Sequence, residues 1–499
     1  MKIKRNITEN QFGDAENIGD GQGVTFNRTA KRRPLFTFSS AYIALVLLLG
    51  LIQLVMGADH YALAMAVYGS IICTIPAMIF GARDLPATIN ILIGFRYATS
   101  ALVTKTLLGE GIDQGLYAPS ASFSVVASGI TAVVIAALIA HKIWPKKPLL
   151  TPDLNRQQLS AFAWMGVVLG AMFFIVVSVL HFYNASGQLL SFFADGYVLM
   201  LASWFILDNV GSGKPARLSV RSTFGLALII FVGIIGNSRE QAALGFLAII
   251  VTILAFRIKI SVRQIITGAI VAAYFVLFVS PAILKARQEF YVGSSIGDMI
   301  ISTTSSLIEY TLNGGAPSVD AGDPNKKYLL QYVPDKYSFL GRLVNVQQLD
   351  FVVKLVQGGA YIGYDRLWAE LLDLLPGPLV SDKPTLLTPD FLLNRFGIVN
   401  DEQSYIETTA FGQAFVYGGY SSVFFVVLIP FFFVFLLFRL FCQRVDNSLL
   451  AVLLISTHAH VISAGGIGSL YLIALRLLPF QILYFYLFRR LFLVSRISR

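Results

Sequence analysis

The sequence predicts an all-α polytopic membrane protein with about twelve transmembrane helices. Three observations favour this class. First, 56% of the 499 residues are hydrophobic and only 13% are charged, whereas ordinary soluble domains carry about 25% charged residues. Second, the apolar residues are gathered into long runs, and the mean hydropathy is +0.70. Third, basic residues collect in the connections on one side of those runs. A soluble enzyme and a nucleic-acid-binding module are thereby excluded.

The apolar runs locate the individual spans, because a transmembrane helix needs about 20 mostly apolar residues. Clear runs cover residues 36–57, 60–81, 120–141, 159–182, 262–281, 411–438 and 467–491. The weaker runs are 86–108, 188–207 and 449–465. The stretch 220–256 is too long for one span and breaks at Asn237–Glu240, which predicts two short spans there.

The distribution of basic residues predicts the orientation of the chain. The formal net charge is +10, from 38 Lys and Arg against 28 Asp and Glu. If the N-terminal tail is cytoplasmic, most basic residues of the connections fall on the cytoplasmic side, and the short outer loops contain one basic residue, Arg239. The positive charge then reflects topology and requires no nucleic-acid partner. Both termini are expected in the cytoplasm.

Four regions follow from this reading. Residues 1–35 are polar and Gly/Asn-rich, which predicts a disordered cytoplasmic tail rather than a signal peptide. Residues 36–281 contain spans one to nine. Residues 282–410 form one large extracytoplasmic loop region between spans nine and ten. Residues 411–499 contain spans ten to twelve and a short cytoplasmic C-terminus.

The large loop has the composition of a folded, functional segment. We expect helical pieces at Leu343–Gly358 and Tyr364–Leu375, joined by Gly/Pro turns. Aromatic residues stand beside carboxylates and basic groups, and this combination suits carbohydrate, which stacks on rings and hydrogen-bonds at its edges. The alternative is a cap that covers the helices and binds nothing.

Charged residues within spans are expensive and mark functional sites or buried pairs. Arg239 lies at the break between two short spans, where its forked donors suit a phosphate. A local pair with Glu240 is the alternative. Arg96 and Asp195 either pair with each other or line a cavity. Arg476, about two turns below the outer surface of the last span, is a further candidate cavity residue.

Histidines of the eleventh span and the end of the large loop supply the other candidates. His460 should lie at a depth similar to that of Arg476, although His458 and His460 more often serve in helix packing or hydrogen bonding. The loop end carries basic and acidic groups just before the Gly-rich start of span ten. A carboxylate there could deprotonate a sugar hydroxyl, and basic residues could hold a diphosphate leaving group. The candidates are Arg366, Lys383, Arg395, Glu402 and Glu407.

Two stretches together resemble a known superfamily. The run Asn237–Gly245 resembles the small-Ser-Arg-small-apolar element of bacterial O-antigen polymerases (Wzy-type) and O-antigen ligases. The run Leu375–Pro384, followed by Ser404-Tyr405 and Glu407–Gly419, resembles the region that precedes a late span in oligosaccharide repeat-unit polymerases. Twelve spans with one large external loop between spans nine and ten fit the same superfamily.

The resemblance implies an inverting, metal-independent membrane glycosyltransferase of the GT-C type. The donor would be a glycan on undecaprenyl diphosphate, and the acceptor a lipid-linked repeat unit at the outer face of the bacterial inner membrane. Arg239 would contact the diphosphate, with Arg366, Arg395 or Lys383 from the loop. The resemblance does not supply the base: from the residues alone we infer that Glu402 or Glu407 would act as base, and weak base catalysis is the alternative. The ligase branch has a loop histidine, which residues 282–410 lack.

No cofactor or metal is expected, since the sequence shows no nucleotide-binding motif and its two cysteines, Cys73 and Cys442, are too far apart for a zinc site. Besides lipid-linked oligosaccharide and membrane lipid, a chain-length regulator and a flippase are candidate partners. Two other functions stay open: a transporter or flippase of lipid-linked oligosaccharide, and a non-catalytic scaffold of an export complex.

Overall fold

The computed structural model describes residues 36–494, with gaps at 145–146, 151–153, 155, 180–186, 211, 213, 236–238, 290–295, 314–331, 334–342 and 374–407. Helices make up nearly all of this described part, which contains no β-strand. In chain order the α-helices are α1 Phe36–Val55, α2 His60–Ile72, α3 Ile75–Phe80, α4 Leu85–Gly94, α5 Ser100–Leu108, α6 Pro119–Ile143, α7 Arg156–Val179, α8 Gly187–Asn209, α9 Val220–Ile235, α10 Arg239–Phe256, α11 Val262–Tyr274, α12 Ser280–Glu289, α13 Ile296–Leu312, α14 Val346–Gln357, α15 Tyr364–Asp373, α16 Ala410–Phe441, α17 Leu449–Ala464, α18 Ile467–Leu472 and α19 Leu478–Val494. Short π-helical turns join some of them: π1 Phe95–Thr99, π2 Phe275–Val279 and π3 Ile473–Leu477.

The described residues include seven helical segments that are long and apolar enough to cross a membrane. They are Phe38–Val55, His60–Phe80, Leu85–Leu108, Pro119–Ile143, Val262–Ile283, Ala410–Phe441 and Ile467–Arg490. Shorter apolar helices cover Val220–Ile234, Gln241–Phe256 and Leu449–Ala464. The described part of the chain is therefore all-α, with several helices that can span a membrane. The total of twelve stays a prediction, since the predicted span 159–182 lies partly outside the described residues, as do the side chains of 188–194 in the predicted span 188–207.

The predicted interruption of the stretch 220–256 is present. Helix α9 ends at Ile235 and α10 begins at Arg239. The two helices approach closely, because a Cβ on Gly233 would lie only 2.3 Å from the backbone nitrogen of Ala242. Small residues at such positions let membrane helices pack backbone to backbone. The break and the glycine together produce a tight helical hairpin.

Glycines also set the closest contact between α7 and α8. A Cβ on Gly166 would lie 2.4 Å from the carbonyl oxygen of Gly196, and a Cβ on Gly170 would lie 2.3 Å from the ring of Tyr197. Gly166 and Gly170 are four residues apart and share one helix face, the spacing typical of close membrane-helix pairs. The Tyr197 hydroxyl donates to the Gly170 carbonyl at 2.5 Å. Within a membrane, dispersion contacts and this interhelical hydrogen bond, rather than the hydrophobic effect, hold the pair together.

Part of the large loop packs directly on the membrane helices. Helices α14 and α15 correspond to the two predicted helical pieces. Leu349 and Val353 of α14 are fully buried. Asp350, also on α14, accepts hydrogen bonds from the backbone nitrogens of Tyr117 (2.6 Å) and Ala118 (2.9 Å), just before α6 begins. A loop carboxylate thus satisfies backbone donors at the end of a membrane helix.

Burial and hydrogen bonding act in opposite directions on Asp350. Desolvation raises the pKa of its carboxyl group, whereas the bonds from Tyr117, Ser122 and Ala118 favour the charged form. The Ser122 hydroxyl is 2.7 Å from the carboxylate. The net effect is a raised pKa. The Asp350 carboxyl group is therefore a structural group that joins the loop to α6, rather than an acid available to a ligand.

Candidate functional site

Two glycine breaks interrupt membrane helices where the loop packs on them. Helix α16 loses helical geometry at Gly418 and Gly419, and Gly419 has φ +73°, which favours glycine. A Cβ on Gly418 would lie 2.6 Å from the Tyr364 hydroxyl oxygen of α15. Next to the break, the carbonyl of Val416 accepts a hydrogen bond from the backbone nitrogen of Ile362 at 3.1 Å. Loop backbone therefore satisfies a group near the broken helix.

The second break is the bend at Gly465 and Gly466, between α17 and α18. The Gln413 side chain of α16 holds this bend: its carbonyl oxygen accepts from the Ile467 nitrogen at 2.6 Å. Its amide nitrogen donates to the Thr408 hydroxyl at 2.8 Å. A Cβ on Gly466 would lie 2.5 Å from that amide nitrogen, so no larger residue fits without displacing Gln413.

Polar side chains gather around this bend, and we call them the bend site. The bend site consists of Arg96, Glu370, Gln413, Tyr417 and Ser463. These residues come from the third predicted span, from loop helix α15, and from α16 and α17. A loop and several membrane helices thus contribute to one polar region beside irregular backbone, an arrangement typical of ligand sites in membrane proteins.

Glu370 is the acid of the bend site. It lies half-buried on α15, and its carboxylate accepts a hydrogen bond from the buried Tyr417 hydroxyl at 3.0 Å. Its Oε2 is 3.2 Å from where a Cβ on Gly468 would lie, so the carboxylate touches the first turn of α18. A carboxylate fixed in this way can take a proton from a hydroxyl group within reach.

Arg96 joins the third span to the loop through the turn π1. In an α-helix the nitrogen of Ser100 would donate to the carbonyl of Arg96. Here it donates to the carbonyl of Phe95, one residue earlier. The Arg96 carbonyl instead accepts from the Asn345 nitrogen of the loop at 3.0 Å. The Arg96 guanidinium donates to the Ser463 hydroxyl at 3.1 Å, and the Asn345 amide donates to the Ser463 carbonyl at 2.7 Å. Single π turns are frequent at functional sites.

The other two predicted cavity residues have different surroundings. His460 is half-buried one turn before Ser463 on α17, and its carbonyl accepts from the Ser463 hydroxyl at 3.1 Å. The backbone of His460 and the side chain of Arg96 therefore bond to the same serine. Arg476 lies in the turn π3, is exposed, and makes no hydrogen bond or ion pair within the described part of the chain. No contact joins it to the bend site.

The pairing of Arg96 with Asp195, one of two alternatives from the sequence, is wrong. The Asp195 carboxylate accepts a hydrogen bond from the Gln481 amide nitrogen. The amide oxygen of Gln481 is 2.7 Å from Nε2 of His458. All three side chains are buried. Asp195 thus belongs to a network between α8, α17 and α19, and His458 has the hydrogen-bonding role that the sequence favoured.

Most of the predicted diphosphate and base residues cannot be placed against the bend site. Lys383, Arg395, Glu402 and Glu407 lie outside the described residues, as does the side chain of Arg239, whose backbone begins α10. Arg366 is described: it is half-buried on α15, four residues before Glu370. Residues four apart share a helix face, so Arg366 lies on the side of α15 that carries the acid.

Sequence reasoning missed Glu370, Tyr417, Gln413 and Asn345. Glu370 had a usable signal, since it follows Arg366 by one helical turn in a segment that was expected to be helical. Gln413 and Tyr417 are likewise four apart in the Gly-rich start of α16. Asn345 carried no signal, because its importance comes from contacts with residues distant in the chain.

Comparisons with other proteins add no assignment. No family model matches the chain, and no curated protein or solved structure matches it. Among the described residues, no group of three or more His, Cys, Asp or Glu side chains is placed to hold a metal ion. Function must therefore be argued from the geometry and from the sequence motifs.

Proposed function

We propose that the protein is a membrane glycosyltransferase, a polysaccharide polymerase of the bacterial inner membrane. It transfers a growing glycan from undecaprenyl diphosphate to a lipid-linked oligosaccharide repeat unit at the outer face. The observation that carries the proposal is the placement of Glu370: a loop carboxylate, bonded to the Tyr417 hydroxyl at 3.0 Å, lies where two membrane helices break. An acidic side chain of the loop thus lies next to the non-helical backbone of a membrane helix.

Arginines at membrane depth support an anionic, lipid-borne substrate. Arg96 and Arg476 both lie in π turns within apolar segments, and a charged residue in such a segment by default marks a substrate site. Arg366 lies on the loop helix that carries Glu370. In the proposed architecture, which is GT-C-like with twelve spans, Arg239 also faces the diphosphate. Each charge-assisted contact is worth roughly 1.5–3 kcal/mol.

The reaction is a substitution at the anomeric carbon. The acceptor hydroxyl oxygen forms a bond to that carbon, and the bond from the carbon to the diphosphate oxygen breaks. The electron pair leaves with the lipid diphosphate, whose charge the arginines stabilise. The hydroxyl proton passes to a carboxylate: Glu402 or Glu407 by the sequence reasoning, or Glu370 by its position. Attack from the side opposite the leaving group inverts the configuration.

The test is elongation by the purified full-length protein in vesicles. The substrate is lipid-linked repeat units extracted from a strain of the native host in which the gene for this protein has been deleted. We expect a ladder of longer glycans, and we expect Glu370→Gln to slow elongation by about 10²–10⁴-fold, the contribution of a general base. Glu309→Gln is the matched control, because Glu309 is an exposed loop acid paired with Lys285 at 3.1 Å.

Arg239→Ala tests the diphosphate contact in the same assay. We expect it to lose elongation while the protein remains folded in the membrane. Wild-type rates for both Arg239→Ala and Glu370→Gln would overturn the proposed site, and wild-type protein without any elongation would overturn the proposed function.

Transport of lipid-linked oligosaccharide is a second candidate. The observation that favours it is the buried network of Asp195, Gln481 and His458, because polar groups inside a bundle often mark a substrate or proton path. The same vesicles separate the two functions. Movement of lipid-linked units across the bilayer without elongation supports a transporter, and elongation supports the transferase.

A further inference from the structure

Three arginines converge at the far end of α16 from the bend site. Each follows the final residue of an apolar helix, and that residue is phenylalanine in every case: Arg83 after Phe80, Arg257 after Phe256, and Arg444 after Phe441. All three guanidinium groups pair with the same residue, Asp446, so they lie at one level, just after the apolar helices end. We call Arg83, Arg257 and Arg444 the arginine cluster.

One carboxylate, Asp446, lies at the centre of the arginine cluster. Its oxygens are 2.8 Å from Nη1 of Arg83, 3.5 Å from Nη2 of Arg444 and 3.8 Å from Nη2 of Arg257. Only the Arg83 contact is a hydrogen bond. Within the described part of the chain, the other two guanidinium groups donate no hydrogen bond, so their donors are directed at solvent or at a ligand.

The three arginines lie in the connections that follow α3, α10 and α16, and backbone hydrogen bonds fix these connections relative to one another. The Val445 nitrogen donates to the Arg83 carbonyl at 2.9 Å, and the Asn447 nitrogen donates to the Ala255 carbonyl at 3.0 Å. The Leu85 nitrogen donates to the Gln443 carbonyl at 3.0 Å. The arginine cluster is therefore built on a fixed framework, which lowers the entropic cost of binding an anion there.

The local charge is not balanced. Asp84, the acid just before α4, already pairs with Arg439 at 2.9 Å, and both of those side chains are almost fully buried. Among the described residues, four arginines thus face two carboxylates, which leaves two positive charges. The side chains of Arg83, Arg257 and Arg444 are 39%, 50% and 62% exposed. Like charges held this close repel each other unless an anion joins them.

Apolar side chains flank the arginine cluster on its membrane side. Ile79, one residue before Phe80, is 60% exposed, and Leu254, in the last turn of α10, is 67% exposed. A soluble anion would gain nothing from these side chains. An acyl chain would cover them while its phosphate reached the guanidinium groups. Apolar surface directly beside excess positive charge therefore favours a lipid over a free phosphate ion.

We infer that the arginine cluster binds the phosphate of an anionic phospholipid in the leaflet that surrounds these helix ends. Arg257 and Arg444 donate to the phosphate oxygens, and Arg83 stays anchored on Asp446. The acyl chains lie along Ile79 and Leu254. This site is independent of the proposed transferase activity and lies at the other end of the helix that carries Gln413 and Tyr417.

The test measures which lipids the full-length protein retains. The protein is released from vesicles of equal phosphatidylglycerol and phosphatidylcholine, and bound lipid is counted by native mass spectrometry. We expect wild-type protein to retain phosphatidylglycerol preferentially, and the triple variant R83Q/R257Q/R444Q to lose that preference by about tenfold or more, as a charge-assisted phosphate contact implies. The matched control K214Q/K259Q/R263Q removes three exposed basic residues outside the cluster.

Further arms keep the inference falsifiable. If the triple variant does not fold, the single variants R257Q and R444Q, which remove no hydrogen bond, should each lower the preference. Equal loss in the control triple would show general charge attraction and overturn the site. Inorganic phosphate added at millimolar concentration should not displace the lipid. Displacement, or an unchanged preference in every cluster variant, would also overturn it.

Discussion

The two ends of α16 use polar residues in opposite ways. At the Ala410 end, the helix breaks at Gly418–Gly419, and its Gln413 and Tyr417 side chains bond to a neighbouring helix and to a loop acid. At the Phe441 end, the backbone keeps helical φ and ψ past Pro430, and Arg439 is buried in a pair with Asp84 at 2.9 Å. The guanidinium of Arg439 also lies 4.4 Å from the centre of the Phe80 ring.

The difference separates architecture from ligand binding. The Asp84 and Arg439 side chains are almost fully buried and pair with each other. Because neither is accessible to a ligand, we interpret the pair as one that holds the helices together. The bend site contains half-buried groups, irregular backbone and a loop, so its polar atoms can exchange partners with a ligand. A charge in a membrane helix is therefore informative only together with its partners.

The largest loss of stability should come from breaking the sealed pair. We expect Asp84→Asn or Arg439→Met to lower the free energy of unfolding by about 3–5 kcal/mol, because each leaves an unmatched buried group. The double variant should lose less than the sum of the two. Thermal unfolding of the purified protein in detergent measures this. Single variants as stable as wild type would show that the pair is not structural.

A smaller loss is expected where the loop caps a membrane helix. Asp350→Ala removes the acceptor of the Tyr117 and Ala118 nitrogens, which should cost about 1–3 kcal/mol. Asp350→Asn keeps one acceptor oxygen and should lose less. The same unfolding assay compares them. If Asp350→Ala unfolds at the wild-type temperature, the loop is not anchored through this carboxylate.

The glycine bend should be sensitive to a single methyl group. Gly466→Ala places a Cβ against the Gln413 amide, and overpacking of this kind costs about 1–3 kcal/mol. Gly268→Ala in α11 is the matched control, since a Cβ there meets nothing within 4 Å. As a helix-interior change it should stabilise by about 0.5–1 kcal/mol. Equal effects of the two changes would argue against a tight bend.

The smallest change in stability is expected at Arg476. Because this arginine is exposed and has no partner in the described residues, Arg476→Gln should alter unfolding by less than about 0.5 kcal/mol. If it contacts the lipid diphosphate, elongation should still fall by about tenfold or more. Arg263→Gln, another exposed arginine, is the control for charge. Loss of stability without loss of elongation would place Arg476 with Arg439, among the structural residues.

Most of the fold could be predicted from local sequence, but only part of the candidate site. The apolar runs, the break before Arg239 and the two loop helices were all readable, because each depends on residues adjacent in the chain. Arg96 was also found, as a charged group in an apolar run. Glu370 was not chosen over other loop acids, since nothing local distinguishes a carboxylate that meets α16 from one that faces water.

The sequence by itself determined that this chain enters a membrane, because burial of an apolar run in hydrocarbon depends only on its length and composition. Which polar side chains bond to one another depended on the tertiary structure alone. Asp195 accepts a hydrogen bond from Gln481 and does not pair with Arg96. Asp84 pairs with Arg439, and Glu370 accepts a hydrogen bond from Tyr417. In a medium without water, each polar group takes the nearest partner that packing allows, and helices distant in the chain supply that partner.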